Sequence, residues 1–124
     1  MKKLILAGVF CLAPTLGLAD TGDTRVLEVW DCSLKEGKTV EEVIAHNANW
    51  LAMARSVNAE VNSFGLESMV GETEVFMFVD SYPDLAAWGA VKVAMDSEQG
   101  AAIEDGFAEM LDCTSNRLFK STQH

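Results

Sequence analysis

Few side chains of this 124-residue chain could recognise or transform a small molecule: His46, Glu28, Tyr82 and the three tryptophans Trp30, Trp50 and Trp88. His46 precedes Trp50 by one helical turn, and Asn47 and Asn49 are close by. An imidazole beside an indole can orient a ligand, take a proton near neutral pH or bind a metal. It can equally be a core-edge histidine satisfied by one neighbour. Glu28 alternates with Val26, Trp30 and Cys32 in an otherwise apolar stretch. If that face meets the helices, its carboxyl lies beside Trp30 with a raised pKa and the makings of a general base. If it faces the other way, it is paired or solvated. Trp88 and Tyr82 can stack on a planar ligand or simply fill the space between helix and sheet.

Other chemistries lack their residues. Met53, Met69 and Met77 with His46 would be the ingredients of a copper(I) site, but methionines scattered over helix and strand faces are core filler, so no metal site is expected. There is no Ser-His-Asp ordering, phosphate-binding glycine loop or zinc-ligand spacing. No cofactor is called for.

The first residues set the compartment. Lys2 and Lys3 precede an apolar run from Leu4 to Leu18, and Gly17-Leu18-Ala19 stands before Asp20. This is the pattern of a cleaved export signal over residues 1–19, which leaves residues 20–124 as one domain in the periplasm or outside the cell. The run is broken by Pro14 and Thr15, so a membrane-spanning helix is disfavoured, and Phe10 before Cys11 argues against lipid attachment. Cleavage removes Cys11 and sends Cys32 and Cys113 to an oxidising compartment as one possible pair. It also removes two lysines and no acid, taking the formal net charge from −10 to −12. Such a charge repels phosphate backbones and anionic lipid, so neither nucleic acid nor a membrane is an expected partner.

The periodicity supplies the elements that must carry these residues. Val26 to Leu34 reads as a central strand, apolar on both alternating sets. Thr39-Val40-Glu41-Glu42 has capping-box spacing and opens a helix to about Asn58, with Val40, Val43, Ile44, Trp50, Leu51, Ala54 and Val57 in its buried stripe. Phe64 to Val70 and Glu74 to Asp80 form a hairpin across Gly71-Glu72-Thr73. A second helical region follows Pro83 and Asp84, with a break near residues 96 to 100, where Gly100 and then Gly106 weaken the helix. Asn116 to Lys120 is a short last strand.

Strand, helix, strand, strand, helix, strand is the split βαβ plan of the ferredoxin-like α+β fold. It makes a four-stranded antiparallel sheet of order 4-1-3-2 with the helices on one face. The last strand then runs against the first, which brings Cys32 and Cys113 together and predicts a structural disulfide. A redox-active pair would instead be spaced Cys-x-x-Cys at a helix N-terminus.

With its broken second helix after Phe78-Val79-Asp80-Ser81-Tyr82-Pro83-Asp84-Leu85-Ala86-Ala87-Trp88, the chain resembles the dimeric α/β-barrel superfamily. In pattern it is most similar to the antibiotic-biosynthesis-monooxygenase-like domains. The resemblance implies a homodimer whose sheets join in a barrel, with a cavity between sheet and helices in each subunit. Such proteins oxidise aromatic substrates without a cofactor, degrade haem or bind ligands. Many carry a histidine in the second helical region, where this chain reads Trp88-Gly89-Ala90-Val91-Lys92. That departure weighs against haem ligation and against the common oxygenase chemistry.

Three functions are therefore open. The expected one is a noncatalytic exported dimer holding a small apolar or aromatic molecule among Trp30, His46, Trp50, Tyr82 and Trp88. The others are a cofactor-independent monooxygenase-like enzyme with His46 or Glu28 as base, and an assembly module with no ligand.

Overall fold

A computed structural model describes residues 24–71 and 75–123. The expected leader over residues 1–19, Glu72, Thr73 and Glu74 of the hairpin, and His124 lie outside them. The elements are β1 (Thr24–Leu34), α1 (Val40–Val57), β2 (Asn62–Glu67), β3 (Phe76–Tyr82), α2 (Leu85–Met95), α3 (Glu98–Met110) and β4 (Leu111–Thr122). The sheet order is β2-β3-β1-β4, all antiparallel, which is the expected 4-1-3-2 read from the other edge.

Local chemistry sets the helix starts. The Thr39 hydroxyl accepts from the Glu42 amide at 3.3 Å, while the Glu42 carboxylate accepts from the Thr39 amide at 2.9 Å, so α1 begins with both amides satisfied. Asp84 caps α2 through the Ala87 amide at 2.8 Å. The expected break falls at Asp96 and Ser97, where the Ser97 hydroxyl accepts from the Gly100 amide at 3.1 Å and opens α3.

The two helical glycines do more than weaken a helix. A Cβ on Gly100 would strike the Met95 carbonyl, so glycine permits the tight corner between α2 and α3. A Cβ on Gly106 would strike the His46 ring, so glycine lets α3 close on α1.

All four strands differ in their bounds from those read in the sequence: β1 starts at Thr24 rather than Val26, β3 runs Phe76–Tyr82 rather than Glu74 to Asp80, and β2 and β4 differ more. β4 spans twelve residues, from Leu111, and pairs with β1 along its whole length. Its Asp112, Asn116 and Arg117 are exposed because β4 is an edge strand, and this polarity masks strand alternation. β2 stops at Glu67, the last residue with a partner in β3, and Met69 and Val70 are left almost fully exposed.

Cys32 and Cys113 are bonded, across a sequence separation of 81. The β1–β4 register shifts between Asp31 and Cys32, and this irregularity sets the two cysteines opposite each other. The bond closes a long loop, worth about 4 kcal/mol in the chain-entropy model.

The helical side of the sheet holds two buried clusters. One contains Trp50, Met53, Ala54, Val61, Tyr82, Val91 and Ile103; the other contains Val43, Phe76, Phe78, Met110 and Leu111 around Cys32. On the opposite face, alternation places Leu27, Val29, Phe64, Leu66, Met77, Val79 and Phe119. Phe64, Leu66 and Phe119 there are about half exposed.

Candidate functional site

Register assembles the polar centre. Glu28 on β1 lies directly opposite Asp80 on β3, and the next pair on that face is Trp30 opposite Phe78. Both acids are buried against the helices, so Glu28 occupies the helix-facing side of the sheet.

Burial of a carboxylate is unfavourable unless it is fully partnered, and Glu28 is. Oε2 accepts from the Tyr82 hydroxyl at 3.1 Å and the Trp88 indole Nε1 at 3.2 Å, and pairs with the Lys92 ammonium at 2.8 Å. Oε1 accepts from Asn116 Nδ2 at 2.7 Å. Three donors crowd Oε2 and Asn116 holds Oε1, so both oxygens are committed to structural partners. Glu28 thus ties β1, β3, β4 and α2 together and aims Lys92. Burial, with Asp80 and Glu28 nearby, pushes the Tyr82 phenol well above its usual range, so it remains a donor.

Asp80 is different. Its Oδ1 accepts from the Ser63 hydroxyl at 2.6 Å, and Ser63 accepts from Asn47 Nδ2 at 2.9 Å. Among the described residues, these contacts leave Oδ2 without a hydrogen-bond partner. Burial raises its pKa from 3.8 to about 7; the Ser63 hydrogen bond opposes the shift, Glu28 adds to it, Lys92 lowers it and Glu104 raises it. Asp80 is therefore a carboxyl that changes charge near neutral pH.

Asp80 also lines a cavity of about 240 Å³ between sheet and helices. Trp30, Trp50, Phe78 and Phe107 give it aromatic walls, Leu111, Ala108 and Cys113 also line it, and Asn47, Lys92 and Glu104 supply the remaining polar groups. The Lys92 ammonium stands 5.4 Å from the Trp30 ring centroid, within cation–π range.

The residues singled out in the sequence thus separate into three places. Trp30 and Trp50 line the cavity. Tyr82 and Trp88 lie behind it, holding Glu28. His46 is at the α1–α3 contact, with Nε2 2.8 Å from the Ile103 carbonyl and its ring edge-on to Phe107 at 4.6 Å. It is not on the cavity wall and does not converge with Glu28 on one point.

Asp80, Lys92, Asn47, Glu104 and Phe107 were not read as site residues. Asp80 carried the same signal as Glu28, an acid alternating with Phe76, Phe78 and Tyr82, but it stood at the expected strand end. Lys92 ends the Trp88-Gly89-Ala90-Val91-Lys92 stretch, which holds no histidine. Among the described residues, no group of three or more His, Cys, Asp or Glu side chains could hold a metal ion, and no helix is long and apolar enough to cross a membrane.

No protein-family model matches the chain, and no curated protein does. Solved structures do. SnoaB, a cofactor-independent oxygenase from Streptomyces nogalater, superposes with a TM-score of 0.62 at 13% identity, covering 81% of this chain and 95% of that one. A NIPSNAP-family protein of unknown function from Agrobacterium tumefaciens gives 0.59 at 12% identity, covering 80% and 89%. A protein from Shewanella oneidensis gives 0.52 at 20% identity, covering 82% and 92%. At such identities the likeness is one of fold. The chain shares with them the ferredoxin-like α+β fold that its sheet order shows.

Proposed function

We propose that this protein is an exported homodimer that binds a small, largely aromatic or apolar molecule in the cavity between sheet and helices. The observation that carries the reading is the cavity itself, with walls of Trp30, Trp50, Phe78 and Phe107 and a few polar groups, Asn47, Asp80, Lys92 and Glu104, among its lining. At about 240 Å³ it suits a molecule smaller than the drug-sized ligands that occupy roughly 300–1,000 Å³. The cavity favours a ligand over assembly alone. Export is supported by the leader pattern of residues 1–19 together with the Cys32–Cys113 bond. Dimerisation is supported by the half-exposed apolar face around Phe64, Leu66 and Phe119, a surface of the kind that another sheet covers.

One observation favours a second reading, an oxygenase-like enzyme in the manner of SnoaB. Among the described residues Asp80 has an oxygen free of hydrogen bonds, and its pKa of about 7 suits a general base at physiological pH. In this reading Asp80, rather than His46 or Glu28, takes the proton from an activated C–H or O–H group.

Native mass spectrometry of protein purified from the periplasm tests the main reading. The expected species is a dimer of chains cleaved after Ala19, each two hydrogens lighter than its reduced form and carrying a small ligand. A ligand-free monomer that still bears the leader would remove the proposal.

A further inference from the structure

We propose that the cavity selects a small organic cation, an ammonium group carried on one ring or a short apolar chain, with Asp80 and Glu104 as its anionic partners. This rests on the small-molecule reading above and adds the charge class of the ligand.

Charge balance is the first ground. Three carboxylates, Glu28, Asp80 and Glu104, surround the site against one ammonium, Lys92. Lys92 is paired with Glu28 at 2.8 Å and offsets Asp80 only in part, and among the described residues Glu104 makes no ion pair. An anionic ligand would have to share Lys92 with Glu28 while facing two further carboxylates. A cation would meet the unpartnered Oδ2 of Asp80 inside the cavity and the exposed Glu104 on its wall.

The walls are the second ground. Trp30 already accommodates one ammonium near its ring, that of Lys92 at 5.4 Å from the centroid. Trp50, Phe78 and Phe107 offer further aromatic surface to a second cation. The chain's formal net charge of −10 adds a long-range field that draws cations towards it and repels anions.

Every element packed around Asp80 contributes to its response. Glu28 on β1, Tyr82 on β3 and Glu104 on α3 disfavour or do not offset its negative charge, whereas Ser63 on β2 and Lys92 on α2 favour it, and Asn47 on α1 orients Ser63. A bound ammonium requires Asp80 ionised, so amine binding is linked to loss of a proton near neutral pH.

The test uses the full disulfide-bonded protein, labelled with nitrogen-15, titrated near pH 7.5 with phenethylamine, phenethyl alcohol and phenylacetate. Chemical shifts of the Trp30 and Trp50 indoles and of the Asp80 and Glu104 amides locate the binding. Phenethylamine is expected to bind at least about tenfold more tightly than the alcohol, with phenylacetate weakest. Lowering the pH to about 6 should weaken the amine by about five- to tenfold and change the alcohol by less than about twofold. In Asp80→Asn, which keeps the shape and the Ser63 hydrogen bond, the preference for amine over alcohol should collapse to about twofold or less. Glu104→Gln, an exposed change, should reduce it part of the way. Equal or tighter binding of the alcohol or of phenylacetate overturns the cation inference while leaving a small-molecule site standing. An undiminished amine preference in Asp80→Asn also overturns it, and no shifts with any of the three probes overturn both readings.

Discussion

Replacing Asp80 by asparagine should make the protein more stable at neutral pH. Folding raises the pKa of this carboxyl from 3.8 to about 7, mainly by burial, so the folded state prefers it protonated. Its contribution is therefore fully present below about pH 4 and is lost as the pH rises towards and through 7, because the unfolded chain ionises there and the folded one resists. A shift of roughly three units at 1.36 kcal/mol each sets an upper bound of about 4 kcal/mol on that loss. Asparagine has nothing to ionise and can still accept from Ser63. The variant should match the wild type near pH 4 and exceed it by about 2 to 4 kcal/mol near pH 8. The measurement is urea unfolding followed by tryptophan fluorescence at several pH values between 4 and 8, at one protein concentration so that any association contributes equally. Ion pairs such as Lys92–Glu28 and Arg117–Asp31 are common to both proteins, so the difference isolates residue 80. Two stability curves that stay parallel across this range would refute the assignment.

Two further outcomes concern the scaffold. Replacing both Cys32 and Cys113 by serine should lower stability by about 2 to 5 kcal/mol, read from urea midpoints against the oxidised protein, and an unchanged midpoint would contradict the bond's role. Gly106→Ala should cost about 1 to 3 kcal/mol because the new Cβ strikes the His46 ring, which is held by the Ile103 carbonyl and Phe107. Adding His46→Ala should recover part of that loss, so a double-mutant cycle with no coupling would contradict the packing described.

Much of the fold was legible because its signals are local. The Thr39 capping box, the break at Asp96 and Ser97, and the two-faced apolar strands around Trp30 and Phe78 all act within a few residues. The Cys32–Cys113 contact followed from strand order together with compartment. The full length of β4 was not legible, because an edge strand outside the helix cover carries polar residues at both alternations. The site was only partly legible for a related reason. Glu28 stood out as an acid in a strand, but whether it is free or saturated depends on Tyr82, Trp88, Lys92 and Asn116, which lie 54 to 88 residues away. His46 drew notice as the one histidine among the helices, yet its place was decided by the missing side chain of Gly106, which no pattern of apolar residues reveals.

The position of the disulfide also limits how copies of this chain can be linked. β4 is a long terminal strand held by a single neighbour, the sort of element that identical chains exchange when they associate. An exchanged β4 would have to take Cys113 to the Cys32 of the other chain, covalently threading the two together. Within one chain, the antiparallel pairing of β1 and β4 presents each cysteine to the other at far higher effective concentration than a second molecule can. Oxidation therefore acts as a topological decision made once, after which each chain keeps its own last strand in whatever assembly it joins.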